Sequence, residues 1–537
     1  MKRYNRRPWR KKEKKENEKN DKKEEKIEIP VSKDIDVNLE KMKEILVDCD
    51  DIIYREINGG EDLEHRFAIV YTDGLTDKEL ISDYALESLM HQSRMKPTTD
   101  NFKHNLYELA KKGNVAVTEV SEVKSLEKAI DFVLIGETIL LVDGFKKIMI
   151  LSSRGWPMRG LSEPQTETVI RGPRDGFVET SKINTSLIRR RIRDPKLKLK
   201  YMQIGKRSKT DVAVMYIEDI VNDSILKEVK TRLKKIKIDA ILESSYIEQL
   251  IEDNWLSPFP QLESTERPDA VAAALYEGRV ALVIDNTPFT LLAPATFSIF
   301  MQSSEDYYDR WPIVSIIRLI RYLSLPLALL LPSLYIAITS YHPGMLPTAL
   351  ALYVASTRMG VPFPAFIEAF IMELTLEILR EAGTRLSGPI GTTIGIVGGL
   401  VIGQAAVEAG IVSPLMVIIV AVTTIASFAL PSNSFAAGFR LARFFFMLLA
   451  AVLGLYGIML GLVLLGTHLV SLKSFGIPYF APYSSAVDMA SDLKDSFIRV
   501  PVNFMRKRPV YMKLKDKNRM KASKEIYNEK DEDNDRK

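Results

Sequence analysis

Along this chain the apolar positions change their spacing once. Up to about residue 310 they form short runs separated by polar turns, and from 322 to 470 they merge into long stretches. In the first region Arg66-Phe-Ala-Ile-Val-Tyr71 has the composition of a strand. It is followed by Thr-Asp-Gly-Leu and a helical spacing of apolar residues at Leu80, Ile81, Tyr84, Leu86 and Leu89. Asp211-Val-Ala-Val-Met-Tyr216 repeats the pattern and leads into Ile225, Leu226, Val229, Leu233 and Ile236, with Tyr216 lying 145 residues after Tyr71. A second pair agrees: Gly136-Glu-Thr-Ile-Leu-Leu-Val-Asp143 is matched by Gly278-Arg-Val-Ala-Leu-Val-Ile-Asp285, displaced by 142. Each is followed by another apolar run, Phe145 to Leu151 and Pro288 to Pro294, which reads as strand, tight turn, strand. Two pairs at nearly one offset predict a duplication, giving a soluble region of two similar α/β subdomains, 35–175 and 176–310.

The long apolar stretches predict an α-helical polytopic membrane domain over 311–472, with spans near 323–341, 389–409, 411–430 and 444–465. Residues 347–380 resist this reading. They hold Pro362, Pro364, Glu368, Glu373 and Glu377, and a carboxylate at a helix centre costs ~2.5–3.5 kcal/mol on insertion scales. The segment is therefore re-entrant, interfacial or the lining of a polar cavity. Arg310, Arg318 and Arg321 place the start of the first span inside, and the basic tail from Lys473 is placed inside too. That requires an even number of spans. Four spans put Arg440 and Arg443 outside, while counting 347–380 as a fifth misplaces the tail.

Within this region Gly391, Gly395, Gly399 and Gly403 recur every fourth residue and form one stripe, suited to close helix packing within a subunit or between subunits. Gly454, Gly457 and Gly461 make a weaker version. Glu373, Glu377 and Glu381 share a helix face, Arg380 can pair with Glu377, and Gln404 and Glu408 share another face. Polar groups at membrane depth point into a bundle or a water-filled path, so these five residues are the candidate ion path, with structural ion pairing as the alternative.

Composition adds bounds. The chain has 537 residues, a net charge of +5, one cysteine and five histidines. It is too long for one ordinary domain. The lone Cys49 excludes an internal disulfide, and the scattered histidines give no metal spacing. Residues 1–34 are read as a charged, disordered tail, since the first 26 contain 13 Lys or Arg; contact with anionic lipid is its sharper alternative. Residues 473–537 are read as a second charged tail, on the cytoplasmic side. The basic N-terminus has no signal-peptide pattern, so the soluble region is read as cytoplasmic. No nucleotide-loop, nucleophile-elbow or zinc-protease motif occurs, which argues against an enzyme and for no cofactor. Arg171, Arg174, Arg189, Arg190 and Arg191 form a basic cluster around a Gly-Pro-Arg-Asp-Gly loop. Without an aromatic platform it is read as a subunit or lipid contact rather than a nucleic-acid site.

Several of these strings together resemble the A subunit of the spore nutrient-germinant receptors, the GerA family. They are Gly172-Pro-Arg-Asp-Gly-Phe-Val-Glu179 with Asn184 and Arg189-Arg-Arg-Ile-Arg193, then Pro258-Phe-Pro-Gln261, Glu266-Arg-Pro-Asp269 and Glu305-Asp-Tyr-Tyr308. In the apolar region they are Pro362-Phe-Pro364, Glu368, Leu379-Arg-Glu-Ala-Gly383 and Ser474-Phe-Gly-Ile-Pro-Tyr479. The resemblance covers residues 35–485. It implies a homo-oligomeric, ion-conducting component of a receptor in the spore inner membrane, with a transporter-like B subunit and a lipoprotein C subunit as partners. It also implies a soluble part of two related α/β subdomains. A solitary secondary transporter and a membrane-anchored signalling scaffold are the competing readings. The first is disfavoured by the small number of spans, and the second predicts replaceable intramembrane carboxylates.

Overall fold

The computed structural model describes residues 29–59, 65–81, 120–155, 163–164, 166–385, 401–485 and 492–520. Two compact units emerge: Met1–Trp156 with Arg193–Pro195, and Pro157–Ile192 with Lys196–Lys537. The division falls earlier than the expected 175. The intervening loop is tied to the second unit, where Arg267 donates to the carbonyls of Glu167 (3.1 Å) and Pro173 (3.0 Å) and Thr166 donates to Glu266 (3.1 Å).

The first unit comprises α1 (Ile35–Ile45), β1 (Ile52–Gly59), β2 (His65–Thr72), β3 (Val120–Val123), α2 (Leu126–Ile135), β4 (Thr138–Val142) and β5 (Ile148–Leu151). Asp34 caps α1 by accepting from the Asp36 amide, and Ile35, Leu39 and Met42 give it one buried stripe. The strands form an antiparallel sheet in the order β1-β2-β4-β5-β3. Alternation sorts its faces: Ala68, Val70, Ile139, Leu141, Ile148 and Ile150 pack under the two helices, while Phe67, Ile69, Leu140, Val142 and Met149 form the core of the other face with Ile81. Residues 29–34 are part of this fold rather than of a tail. Val31 is buried, and its amide donates to the Lys124 carbonyl at 3.2 Å. The rest of the expected tail, 1–28, lies outside the described residues.

The second unit repeats the pattern with α3 (Ser181–Arg191), β6 (Leu197–Ile204), β7 (Thr210–Ile217), α4 (Asp223–Lys235), α5 (Ser244–Ile251), β8 (Glu263–Thr265), α6 (Pro268–Tyr276), β9 (Val280–Ile284) and β10 (Thr290–Ala293). Its sheet runs β6-β7-β9-β10-β8, the same order position by position. The register repeats as well. Phe67 faces Val142 as Val212 faces Ile284, Ile52 faces Thr72 as Leu197 faces Ile217, and Thr138 faces Leu151 as Val280 faces Ala293. A slip of one residue would turn every buried side chain to the wrong face, so shared register is a stricter likeness than shared strand order.

After a single helical turn at Phe297–Phe300 the second unit becomes helical: α7 (Trp311–Tyr341), α8 (Thr348–Arg358), α9 (Ala365–Arg385), a stretch at 401–408, α10 (Pro414–Phe428) and α11 (Asn433–Ser471). Among the described residues two helices, α7 and α11, are long and apolar enough to cross a membrane. The four expected spans fare differently. The first lies inside α7, which starts earlier, at Trp311. The second falls largely on 386–400, outside the described residues. The third becomes α10, whose 15 residues are fewer than the ~20 that span a bilayer. The doubtful segment 347–380 divides into α8 and most of α9, broken where Pro362 and Pro364 interrupt the amide ladder.

The fourth span is broken at its centre. Gly454 has φ 61° and ψ −139°, and two helices meet there. The second doubles back along the first. A Cβ on Gly457 would collide with the Leu449 carbonyl, and one on Gly461 would lie 2.8 Å from the Phe446 ring, although these pairs would be far apart in a straight helix. The Gly454, Gly457, Gly461 spacing is thus the close-approach surface of a helical hairpin, whose tip rests against Tyr341 and His342 at the end of α7.

The segment after α11 is not a solvated tail as far as residue 520. It forms a small hairpin, Lys473–Ser474 with Ile477–Pro478, and then returns to the second sheet. Phe475, Ile477, Tyr511, Met512 and Leu514 join that sheet's core. Arg508 donates to the Tyr276 carbonyl at 2.8 Å, and Asn222 to that of Met512 at 3.1 Å. Charge on the neighbouring residues conceals these apolar anchors in an average. Residues 521–537 lie outside the described set.

Candidate functional site

The helical part buries charge, and the charge is paired between helices. Glu373 on α9 meets Arg443 on α11 at 2.5 Å, with the two side chains 4% and 3% exposed. One turn along α9, Glu377 meets Arg380 at 2.9 Å and Arg440 at 3.5 Å. Towards the start of α9, Glu368 is fully buried. It accepts from the Ser413 amide (3.1 Å) and hydroxyl (3.0 Å) and pairs with Arg358 at 3.0 Å. The acidic stripe of α9 therefore faces the Arg440-Leu-Ala-Arg443 turn of α11, while Phe370, Leu374 and Ile378 point outward from the same helix. An ion at this depth requires a partner, because lost hydration is not otherwise replaced. Among the described residues, Glu373 Oε1 and Arg443 Nε are buried without a hydrogen-bond partner, so the seam has spare polar capacity.

The expected path residues separate into two groups. Glu373 and Glu377 lie in this seam, but Glu381, one turn further along the same face, is exposed. Gln404 and Glu408 are joined by a 2.9 Å hydrogen bond and are also exposed. Gly403 packs closely on α10, where a Cβ would come within 3.3 Å of Val417, while Gly391, Gly395 and Gly399 lie outside the described residues. Arg440, Arg443, Arg358 and Ser413 are the members that sequence reading missed. Two arginines three apart inside an otherwise apolar helix were the available signal.

The basic cluster also divides. Arg189 is fully buried and donates to the Leu197 carbonyl at 2.9 Å, which withdraws it as a contact residue. Arg191 grips Asp175 with two bonds of 2.6 and 2.7 Å and so closes the Gly-Pro-Arg-Asp-Gly loop onto α3. Arg171, Arg174 and Arg190 remain exposed.

A second charged cluster fixes the base of α7. Asp306 accepts from both Arg318 and Arg321 at 2.8 Å, and Arg318 also reaches Asp495 at 3.0 Å. Burial pushes the Asp495 carboxyl above its ordinary range, with Arg318 pulling it back. Arg318 and Arg499 both lie over the Tyr307 ring, 5.5 and 5.7 Å from its centre. No group of three or more His, Cys, Asp or Glu able to hold a metal ion occurs among the described residues.

Comparison with known proteins matches these features to a family. Residues 40–511 match the family described as Bacillus/Clostridium GerA spore germination protein. The chain is 44% identical over 486 residues to Spore germination protein GerLA of Bacillus cereus, covering 89% of this chain and 96% of that protein. It is 45% identical over 481 residues to Uncharacterized membrane protein YfkQ of Bacillus subtilis (strain 168), covering 89% and 91% respectively. It is also similar to the crystal structure of the N-terminal domain of the A subunit of the Bacillus megaterium spore germinant receptor GerK3. That likeness has 37% identity and a TM-score of 0.40, and covers 50% of this chain and 98% of that one. With a match along most of its length and a close relative covered almost end to end, this chain belongs to the GerA family of spore germination proteins.

Proposed function

We propose that this chain is the A subunit of a spore germinant receptor complex in the spore inner membrane. It acts in nutrient-triggered germination as an oligomeric subunit of a ligand-gated ion-release channel. Its sheet domains lie on the cytoplasmic side, and a transporter-like B subunit and a lipoprotein C subunit complete the complex. The observation that carries the reading is the shared packing of the second sheet domain and the helices. Phe259 meets Phe439 edge-on at 5.0 Å, and Phe297 and Phe300 each meet Phe435 at 5.3 Å. A displacement of the sheet domain therefore acts directly on α11, and through Arg440 and Arg443 on the acidic face of α9.

In this reading the Glu373–Arg443 pair holds the seam closed. Glu377, Glu381, Gln404 and Glu408 supply the polar lining when copies assemble, since rings of acidic side chains select cations. Arg171, Arg174 and Arg190 contact a neighbouring subunit, and the stripe from Gly391 to Gly403 lets adjacent helices pack closely. The test is nutrient-triggered cation release from spores carrying Glu377→Gln, Glu381→Gln and Glu408→Gln, with assembly of the complex checked in parallel. A several-fold loss of release in assembled complexes is expected. Release that is unaltered in all three would reject the conduction role and leave the anchored scaffold.

A further inference from the structure

The loop between α5 and β8 displays Trp255 and Leu256 at 78% and 72% exposure, and Tyr246 and Leu250 of α5 and Leu242 just before it are exposed as well. This display does not come from a loose loop. The fully buried Gln261 side chain accepts from the amides of Asp253 and Asn254, both at 3.0 Å, and donates to the Asn254 carbonyl at 2.7 Å. Asn254 accepts from the Leu256 amide at 3.1 Å, and Ser257 from that of Phe259 at 3.2 Å. The Asp253 carboxylate is held by Arg232 and by the Phe475 amide, both at 2.7 Å. A loop this fully bonded holds Trp255 and Leu256 outward while Phe259 and Leu262 are buried.

Its position indicates what they meet. The Ser257 hydroxyl lies 3.0 Å from His468 Nε2, in the last turn of α11. Phe259 packs on Phe439, near the beginning of the same helical hairpin, and a Cβ on Gly438 would lie 2.7 Å from the Pro258 carbonyl. Both ends of the hairpin therefore converge on this loop. Val470 in the last turn of α11 is exposed, and Lys473 is exposed just beyond the helix end. The end of a membrane-crossing helix marks the boundary between headgroups and acyl chains. That depth favours the apolar body and polar edge of tryptophan and the ammonium of lysine.

We propose that Trp255 and Leu256 form a wedge seated in the headgroup–acyl boundary of the leaflet that α11 enters, so that the second sheet domain rests directly on lipid. This rests on the membrane reading given above, and the experiment separates the two. The full chain, with Trp9, Trp156 and Trp311 changed to Phe and Trp255 as its one tryptophan, is reconstituted in phosphatidylcholine–phosphatidylglycerol vesicles. A companion chain carries Trp255→Phe as well and Phe445→Trp, at an exposed position midway along the first arm of α11. Quenching by lipids brominated near the headgroup is compared with quenching by lipids brominated near the chain end. The companion should be quenched in both, and Trp255 should be quenched at least roughly twofold more by the shallow bromines, as befits an interfacial aromatic. Quenching of the companion without quenching of Trp255 overturns the wedge, and means that a second copy or water covers the patch. Deep quenching of Trp255 also overturns it. Quenching of neither chain overturns the membrane reading and the wedge together.

Discussion

Glu373 and Arg443 show how strongly a single position can be constrained in this molecule. Each is nearly inaccessible, and each is the other's principal compensation for lost hydration. Removing one leaves an unpaired buried charge, at a cost of about 3–5 kcal/mol, whereas removing both leaves only a packing change. Arg443→Met should therefore lower the thermal midpoint of the full chain in detergent sharply, and Glu373→Gln with Arg443→Met should restore much of it. A double variant as unstable as the single one would show that the pair is not the principal term. The same chemistry sets the limit of sequence reading at this scale. The spacing of Glu373 and Glu377 showed that they share a face, but not which way the face turns, and Arg443 lies 70 residues away along the chain. Arg189 misled for a related reason: four arginines in five residues suggest a surface, yet one is wholly internal and holds a strand carbonyl.

Among the elements, α5 carries an electrostatic burden of its own. Burial raises Glu248 and Glu252 to about 7 from the ordinary 4.5, with Glu243 adding to the first and Glu248 to the second. Below the ordinary value, folded and unfolded chains both hold these protons. Between 4.5 and 7 only the folded chain does, so these groups favour folding at acid pH and that contribution is lost as pH rises through 7. The midpoint of thermal unfolding should fall between pH 5 and pH 8, and Glu248→Gln with Glu252→Gln should flatten the decline. A double variant with an unchanged slope would place the dependence elsewhere. Strands were the most legible elements, because period-two alternation is local and the two copies checked each other: the offsets seen at Tyr71 and Asp143 are the offsets of the sheet register. Helix limits in the apolar region were less legible. Composition says that 444–465 is apolar throughout, but it does not say that Gly454 leaves the helical region of backbone space.

For the whole molecule, the second unit is closed by its own C-terminal segment. Tyr511, Met512 and Leu514 are buried in a sheet whose last strand ends at Ala293, more than two hundred residues earlier. Each such side chain contributes about 1.5–3 kcal/mol on burial. Together they rival the entire 5–15 kcal/mol margin of a typical domain. Ending the chain at residue 505 should therefore unfold the second unit or abolish its recovery from membranes, as judged by protease resistance; a truncated chain as resistant as the intact one would show that the segment is dispensable. In the membrane arrangement proposed above, this closure gives the break at Gly454 a topological meaning. A straight helix of 39 residues would reach ~58 Å, about twice the ~30 Å hydrocarbon layer, and would leave Tyr511 stranded across the bilayer from its sheet. Turning back halfway makes the segment contribute an even number of crossings instead of one. Parity is then set by one glycine, and Asn433 and Lys473, at the two ends of the hairpin, fall on a single side in that arrangement, which one unbroken span could not give.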